Sequence, residues 1–231
     1  MSLLRWWLFL EMIALAGWPI VAGLFPALKD RGISLARITG LVLFAYPVWL
    51  LSHGVASFGG ALITFCLLLL VITALALYLT RWKTWREIFS SPREIIFSEI
   101  IYLAAFFGLA LIRSFNPEIE GMWKGGGSEK FMDLNFVNSI LSSSQFPPND
   151  NWLADYPINY YYYGYYLAAL LTRVTGVLPH VGYNLMVVTV YALAIQGLWG
   201  LLRNLGCRWY LALAGVYFAF FATNLKAPWI G

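Results

Sequence analysis

Two carboxylates, Glu129 and Asp133, stand four residues apart in Ser128-Glu129-Lys130-Phe131-Met132-Asp133. That spacing puts both on one face of a helix, and the start of a helix favours their ionised form. An ionised carboxylate can accept a proton from a hydroxyl nucleophile. It can also hold a divalent cation that neutralises a phosphate, so a divalent metal is compatible with this pair, and the metal ligands stay unknown. The plain alternative is that acids in a first turn only complement the helix dipole. Glu118 and Glu120 precede them in Asn116-Pro117-Glu118-Ile119-Glu120-Gly121, a Pro-Glu turn that reads equally well as solvated loop. After them come Tyr156-Pro157-Ile158-Asn159, then Tyr160, Tyr161, Tyr162 and Tyr163, then Gly164-Tyr165-Tyr166. Such a run suits either an aromatic belt at headgroup level or a wall of rings and hydroxyls beside a sugar or a lipid phosphate.

The elements that hold these residues are set by an unusual composition. The chain has 231 residues, 61% hydrophobic and only 11% charged, where a soluble domain carries about a quarter charged residues. The deficit runs the whole length, so a single anchor does not explain it. A span needs about 20 mostly apolar residues. Seven candidate segments appear, at 6–26, 38–53, 58–80, 94–113, 160–178, 181–202 and 209–224. The predicted fold is therefore all-α, a polytopic transmembrane bundle of about seven spans. The first segment is long enough to span and lacks a clear small-residue cleavage site, so it is expected to be a retained helix and not a signal peptide.

The basic residues predict orientation. Nine fall on one set of connections: Lys29, Arg31, Arg37, Arg81, Lys83, Arg86, Arg93, Arg173 and Lys226. Short connections on the other side carry Arg5, Arg203 and Arg208, and Arg113, Lys124 and Lys130 surround one long loop. Positive-inside counting puts the nine in the cytoplasm. The N-terminus and the loop at 116–159 are then outside. That loop holds six acids against two bases, a net charge of −4. Loops this long are functional or disordered, and its aromatic and apolar content argues against disorder. Within it, Ser128 caps a predicted helix to about Ser142. Met132, Phe136 and Ile140 form an i,i+4 row, which suits an amphipathic helix lying on the membrane.

Other classes are excluded. The net charge of +4 is spread thinly between apolar runs, which fits loops facing an anionic leaflet and not a nucleic-acid footprint. Cys66 and Cys207 give neither a disulfide framework nor zinc spacing. No P-loop, dinucleotide fingerprint, zincin or haem-attachment motif is present. His53 and His180 are lone loop histidines with no assigned role. Glu11 and Glu99 fall within or near spans, where acids are functional suspects, although both are close enough to an end to reach the interface.

Taken together, the motif at 116–121, the helix from Ser128 to Ile140 and the run from Tyr156 to Gly164 resemble the YYY membrane protein family. That family groups large polytopic proteins of predicted or unknown role. It in turn looks like the C-type membrane glycosyltransferases, which use a sugar on a polyprenyl phosphate. The resemblance implies a catalytic acid at Glu129 or Asp133, with Glu118 and Glu120 as further candidates. It implies donor contacts from Lys130, Tyr156, Asn159, Tyr160, Tyr161, Tyr162 and Tyr163. It divides the chain into an added three-helix region, 1–93, and the start of an enzyme core, 94–231. The stretch 122–127 looks like an insertion relative to the family pattern. Enzymes of this type have about a dozen spans, so the chain is expected to be a fragment or a shortened relative. Two non-catalytic alternatives stand beside the enzyme. One is a structural or accessory subunit of a larger membrane complex. The other is a transporter, for which the broken, repeated spans are lacking.

Overall fold

The computed structural model describes residues 1–90, 92–115, 117, 128–153 and 155–222. Those residues are helical with irregular links: α1 Ser2–Leu24, α2 Ile33–Leu51, α3 Gly60–Thr80, α4 Trp82–Ser90, α5 Arg93–Phe115, α6 Ser128–Ser142, α7 Tyr163–Thr175, α8 Pro179–Asn204 and α9 Trp209–Tyr217, which runs on as a π-helical turn, Phe218–Ala222. Five of them, α1, α2, α3, α5 and α8, are long and apolar enough to cross a membrane. Their outward faces carry Phe65, Leu68, Leu69, Ile72, Phe107, Leu111 and Ile112, all exposed. In water that surface would be costly, while in lipid it is the expected exterior. The helical form is forced, because hydrocarbon offers no partner to an unpaired backbone N–H or C=O.

Close backbone approach joins α1 to α2. A Cβ added at Gly17 would collide with the backbone of Ala36 and Gly40, and one added at Gly40 would meet the Ile13 carbonyl. Small residues at such a crossing let two membrane helices pack by van der Waals contact. Gly40→Leu should therefore cost at least the 1–3 kcal/mol typical of overpacking. Thermal unfolding in detergent checks this, and an unchanged midpoint would show that the two helices can part without loss.

Four helices meet at one buried cation. Arg37 on α2 is 1% exposed. Its Nη2 donates to Glu11 Oε2 on α1 and to Glu99 Oε2 on α5, each at 2.5 Å. Its Nη1 donates to Glu99 Oε1 at 3.0 Å and to Gln196 Oε1 on α8 at 3.1 Å. Its guanidinium lies 3.6 Å from the centroid of the Tyr102 ring. Glu11 and Glu99 thus turn to one shared arginine.

The segment predicted as a fifth span holds only a short helix. α7 has 13 residues, about 20 Å at 1.5 Å per residue, against a hydrocarbon core of about 30 Å. Both its ends touch the short link between α2 and α3. At the start, the Tyr162 hydroxyl meets the His53 ring at 3.0 Å. Near the end, Arg173 Nη1 donates to the Phe58 carbonyl at 2.6 Å, and Nη2 donates to the Leu141 carbonyl. Between them the Tyr166 hydroxyl dips to the Ala45 carbonyl at 2.7 Å. Gly176, at φ +64°, closes the helix, and Pro179 opens the next one.

This changes the sidedness of everything that follows. α8 begins beside the last turn of α5, where Arg113 is bonded to Asn184, and ends where Asn204 meets Lys29 and Asp30. Arg203, paired with Glu94, therefore shares an end with Lys29 and Arg31, and Arg173 lies at the opposite, loop-bearing end. The sequence-based assignment had these reversed, because it counted α7 as a crossing. The connection 81–93, expected to be plain loop, contains α4, whose Trp85 and Ile88 are buried with Trp18.

Candidate functional site

α6 has the bounds expected for it, Ser128–Ser142. Its apolar row faces the helical bundle. Phe136 and Ile140 are buried, as are Val137 and Ser139, because the helix packs on α7 and α8. That packing turns Asp133 inward as well. Asp133 accepts a hydrogen bond from the Tyr165 hydroxyl on α7 at 2.6 Å and another from the Tyr183 hydroxyl on α8 at 3.0 Å. Burial, and then the bond to Asp133, push the Tyr165 hydroxyl above the ordinary phenol range. It stays a donor, so the carboxylate is held by two fixed hydroxyls. Beside the three side chains opens a cavity of about 570 Å³, lined otherwise by apolar groups such as Val137, Ala168, Met186 and Val190. Pockets of this size, mostly apolar with a few converging polar groups, are where ligands bind.

A second cavity, of about 640 Å³, lies where α1, α5 and α8 meet at the same end. Leu3, Ala110, Val181, Leu185 and Val188 make its walls, and Arg113, His180 and Asn184 stand at its polar lip. Arg113 Nε donates to Asn184 Oδ1 at 3.2 Å, and the Asn184 amide donates to the carbonyls of Pro117 and His180, each at 3.0 Å. Asn184 directly follows Tyr183 in α8, so this network adjoins the Asp133 cluster. A cation above an apolar trough suits an amphiphile with an anionic head.

The predicted residues separate in space. Glu129 shares its helix face with Asp133 but is exposed, one turn closer to the helix start and off the cavity wall. Lys130 is half-buried. Glu118 and Glu120 lie outside the described residues. Among the described residues no three His, Cys, Asp or Glu side chains converge on a metal position. The tyrosine run divides. Tyr162 and Tyr163 turn inward, where Tyr162 packs on Phe146 and Tyr163 on Trp49 and Tyr166. Tyr160 stacks on Phe136 and neighbours Tyr165, at the Asp133 side. Tyr161 is 89% exposed, and Tyr156 and Asn159 are exposed too. The loop around them is folded back on itself. Asp150 N bonds Tyr156 O at 2.8 Å, and Ile158 N bonds Pro148 O at 2.9 Å.

Tyr183, Arg113 and Asn184 complete the site, and the sequence gives no local sign of them. Each sits at the end of an apolar run, where Tyr, Arg and Asn are unremarkable interface residues. A usable hint lies in their shared level, since all three fall within a turn or two of the helix ends flanking the loop.

Residues 43–230 match the family model described as "Uncharacterized membrane protein (DUF2298)". The match begins inside α2 and takes in the Asp133 cluster and both cavities apart from Leu3. No curated protein and no solved structure matches the chain. With well over half of its length covered, this polytopic chain belongs to the DUF2298 family of uncharacterized membrane proteins.

Proposed function

We propose that this protein is a membrane glycosyltransferase, or the N-terminal part of one, acting at the loop-bearing end of the bundle. The observation that carries this is Asp133, a carboxylate held by two tyrosine hydroxyls on the wall of an apolar cavity. Asp133 takes the proton of an acceptor hydroxyl, and the acceptor oxygen bonds to the anomeric carbon of the donor sugar. The bond from that carbon to the lipid phosphate breaks, and the phosphate leaves with the electron pair as polyprenyl phosphate. Positive charge builds on the sugar ring in the transition state, by analogy with glycoside hydrolysis. Lys130 and Arg113 are the cations at this end suited to the departing phosphate, and the trough below Arg113 suits the polyprenyl chain. Tyr160 offers an exposed ring for the sugar. The test is transfer of a labelled sugar from a polyprenyl-phosphate donor by the full-length protein in lipid nanodiscs. Absence of any turnover, with copurification at fixed stoichiometry in a larger membrane complex, would favour the accessory-subunit alternative.

The proposal extends to topology. Of the seven predicted segments, the five long helices cross, and α7 lies within the outer leaflet. Arg203 and Arg208 join the end that holds Lys29, Arg31, Arg81, Arg86 and Arg93 while Arg173 leaves it, so the basic residues still gather at that end and it is cytoplasmic. The N-terminus and the loop at 116–159 face the outside of the cell membrane. A cysteine placed at Ser144 should react with an impermeant reagent on intact cells, and one placed at Asn204 only after lysis. The reverse pattern would invert the whole assignment.

A further inference from the structure

At the end opposite the loop, α5, α8 and the start of α9 enclose a cavity of about 260 Å³. Three arginines line it, Arg93, Arg203 and Arg208, with one acid, Glu94, for a net charge of +2. Arg203 and Glu94 cancel. The guanidinium bonds both carboxylate oxygens, Nε to Oε2 at 3.0 Å and Nη2 to Oε1 at 2.5 Å. Arg203 Nη1 also donates to the Cys207 carbonyl at 2.5 Å. That pair ties α5 to α8 and has no donor fork left over.

Arg93 and Arg208 are different. Both are exposed, and among the described residues neither meets a carboxylate. Arg93 lies 5.8 Å from the Phe97 ring centroid, and Arg208 donates to the Tyr210 hydroxyl at 3.1 Å. Two helices also begin here. The first bonds of α5 and α9 are Ile96 N to Pro92 O and Ala212 N to Arg208 O. The N–H groups ahead of them have no intrahelical acceptor, and both positive dipole ends converge on the cavity. Two free guanidinium forks and two helix starts select an anion with several oxygens, and phosphate geometry suits such forks.

The remaining walls decide which phosphate. Phe97, Trp199, Trp209 and Tyr210 are aromatic, and Phe97, Tyr210 and Trp209 are 40%, 45% and 53% exposed. They stand at the level where the apolar helices end. At roughly 30 Å³ per water, the space holds about nine waters, enough for a phosphate ester and the carbons next to it. We propose that this cavity binds the phosphate of an anionic phospholipid from the leaflet at this end. Arg93 and Arg208 take the phosphate oxygens, and the aromatic walls pack the glycerol and first acyl carbons. The site is remote from Asp133 and does not depend on the enzymatic proposal.

The experiment measures thermal protection of the purified full-length protein in mixed micelles titrated with phosphatidylglycerol, with phosphatidylcholine, or with inorganic phosphate. A ligand that binds only the folded state raises the midpoint with concentration. Phosphatidylglycerol should protect the wild type. The apparent affinity should fall at least tenfold in Arg93→Gln/Arg208→Gln and stay unchanged in Arg86→Gln, which removes a charge from α4 at the same end. If the double variant fails to accumulate, Arg93→Gln and Arg208→Gln are read singly, each with a severalfold loss expected. Equal protection by phosphatidylcholine, or full phosphatidylglycerol protection in the double variant, overturns the proposal. Protection by inorganic phosphate that phosphatidylglycerol does not exceed would overturn the lipid assignment and show a soluble phosphate site instead.

Discussion

Asp133→Asn should lower transfer from a polyprenyl-phosphate sugar by about 10²–10⁴-fold, the contribution of a positioned general base. The fold should survive, because the asparagine carbonyl still accepts from Tyr165 or Tyr183 and the side-chain volume is nearly unchanged. Single-turnover transfer of labelled sugar, with the melting midpoint measured in parallel, separates these effects. Glu129→Gln should cost much less, since Glu129 is exposed and lies off the cavity. Tyr165→Phe removes one of the two donors that aim Asp133, so it should lower turnover without abolishing it. Loss in Glu129→Gln with full activity in Asp133→Asn would exchange the two roles. Full activity in both and in the double variant would move the base to Glu118 or Glu120.

The second large effect is on stability. Arg37→Met should destabilise the bundle by at most about 3–5 kcal/mol, the cost of leaving a fully buried charge without its partner, since the two carboxylates left behind are only partly buried. Two carboxylates, Glu11 and Glu99, depend on that one guanidinium, and Gln196 and Tyr102 are oriented by it. Glu11→Gln and Glu99→Gln should each cost less, because Arg37 keeps the other acid. Adding both to Arg37→Met removes every charge from the cluster, so most of the loss should return. Thermal unfolding of the four variants in one detergent reads this directly. An Arg37→Met protein as stable as the wild type would mean that the acids find water or lipid headgroups by themselves. A triple variant no better than the single would mean that Arg37 matters for packing and not for charge.

Much of this architecture was legible from residue order because lipid imposes so few solutions. An apolar run of 20 residues has to be helical, and α1, α2, α3, α5 and α8 follow their runs to within a few residues, with α2 beginning five residues early. α6 was legible for a local reason, with Ser128 at a cap position after three glycines and an i,i+4 apolar row behind it. The tyrosine run showed its position but not its division of labour. Tyr160 and Tyr165 go to the Asp133 side, while Tyr162, Tyr163 and Tyr166 pack inward. Consecutive tyrosines carry no periodicity, so nothing local distinguishes them. The short reach of α7 was half-visible, in a Tyr-rich stretch closed by Gly176 and followed by Pro179. Apolar content alone counted it as a crossing, and that count set Arg173, Arg203 and Arg208 at the ends opposite to those they hold in the fold.

By itself, then, the amino-acid sequence determined that this chain is a helical membrane protein whose long loop carries α6, and which acids merit attention. Composition and period act within one segment, and the bilayer supplies the rest of the constraint. Only the tertiary structure decided that Asp133 and not Glu129 meets Tyr165 and Tyr183, that Glu11 and Glu99 share Arg37, and that Arg93 and Arg208 frame a cavity at the far end. The contacts that hold Asp133 and Arg37 join helices through residues 26 to 62 apart in the chain. Their partners are chosen by helix tilt and depth, set by packing at crossings such as Gly17 with Gly40, which leave no periodic trace in any one segment.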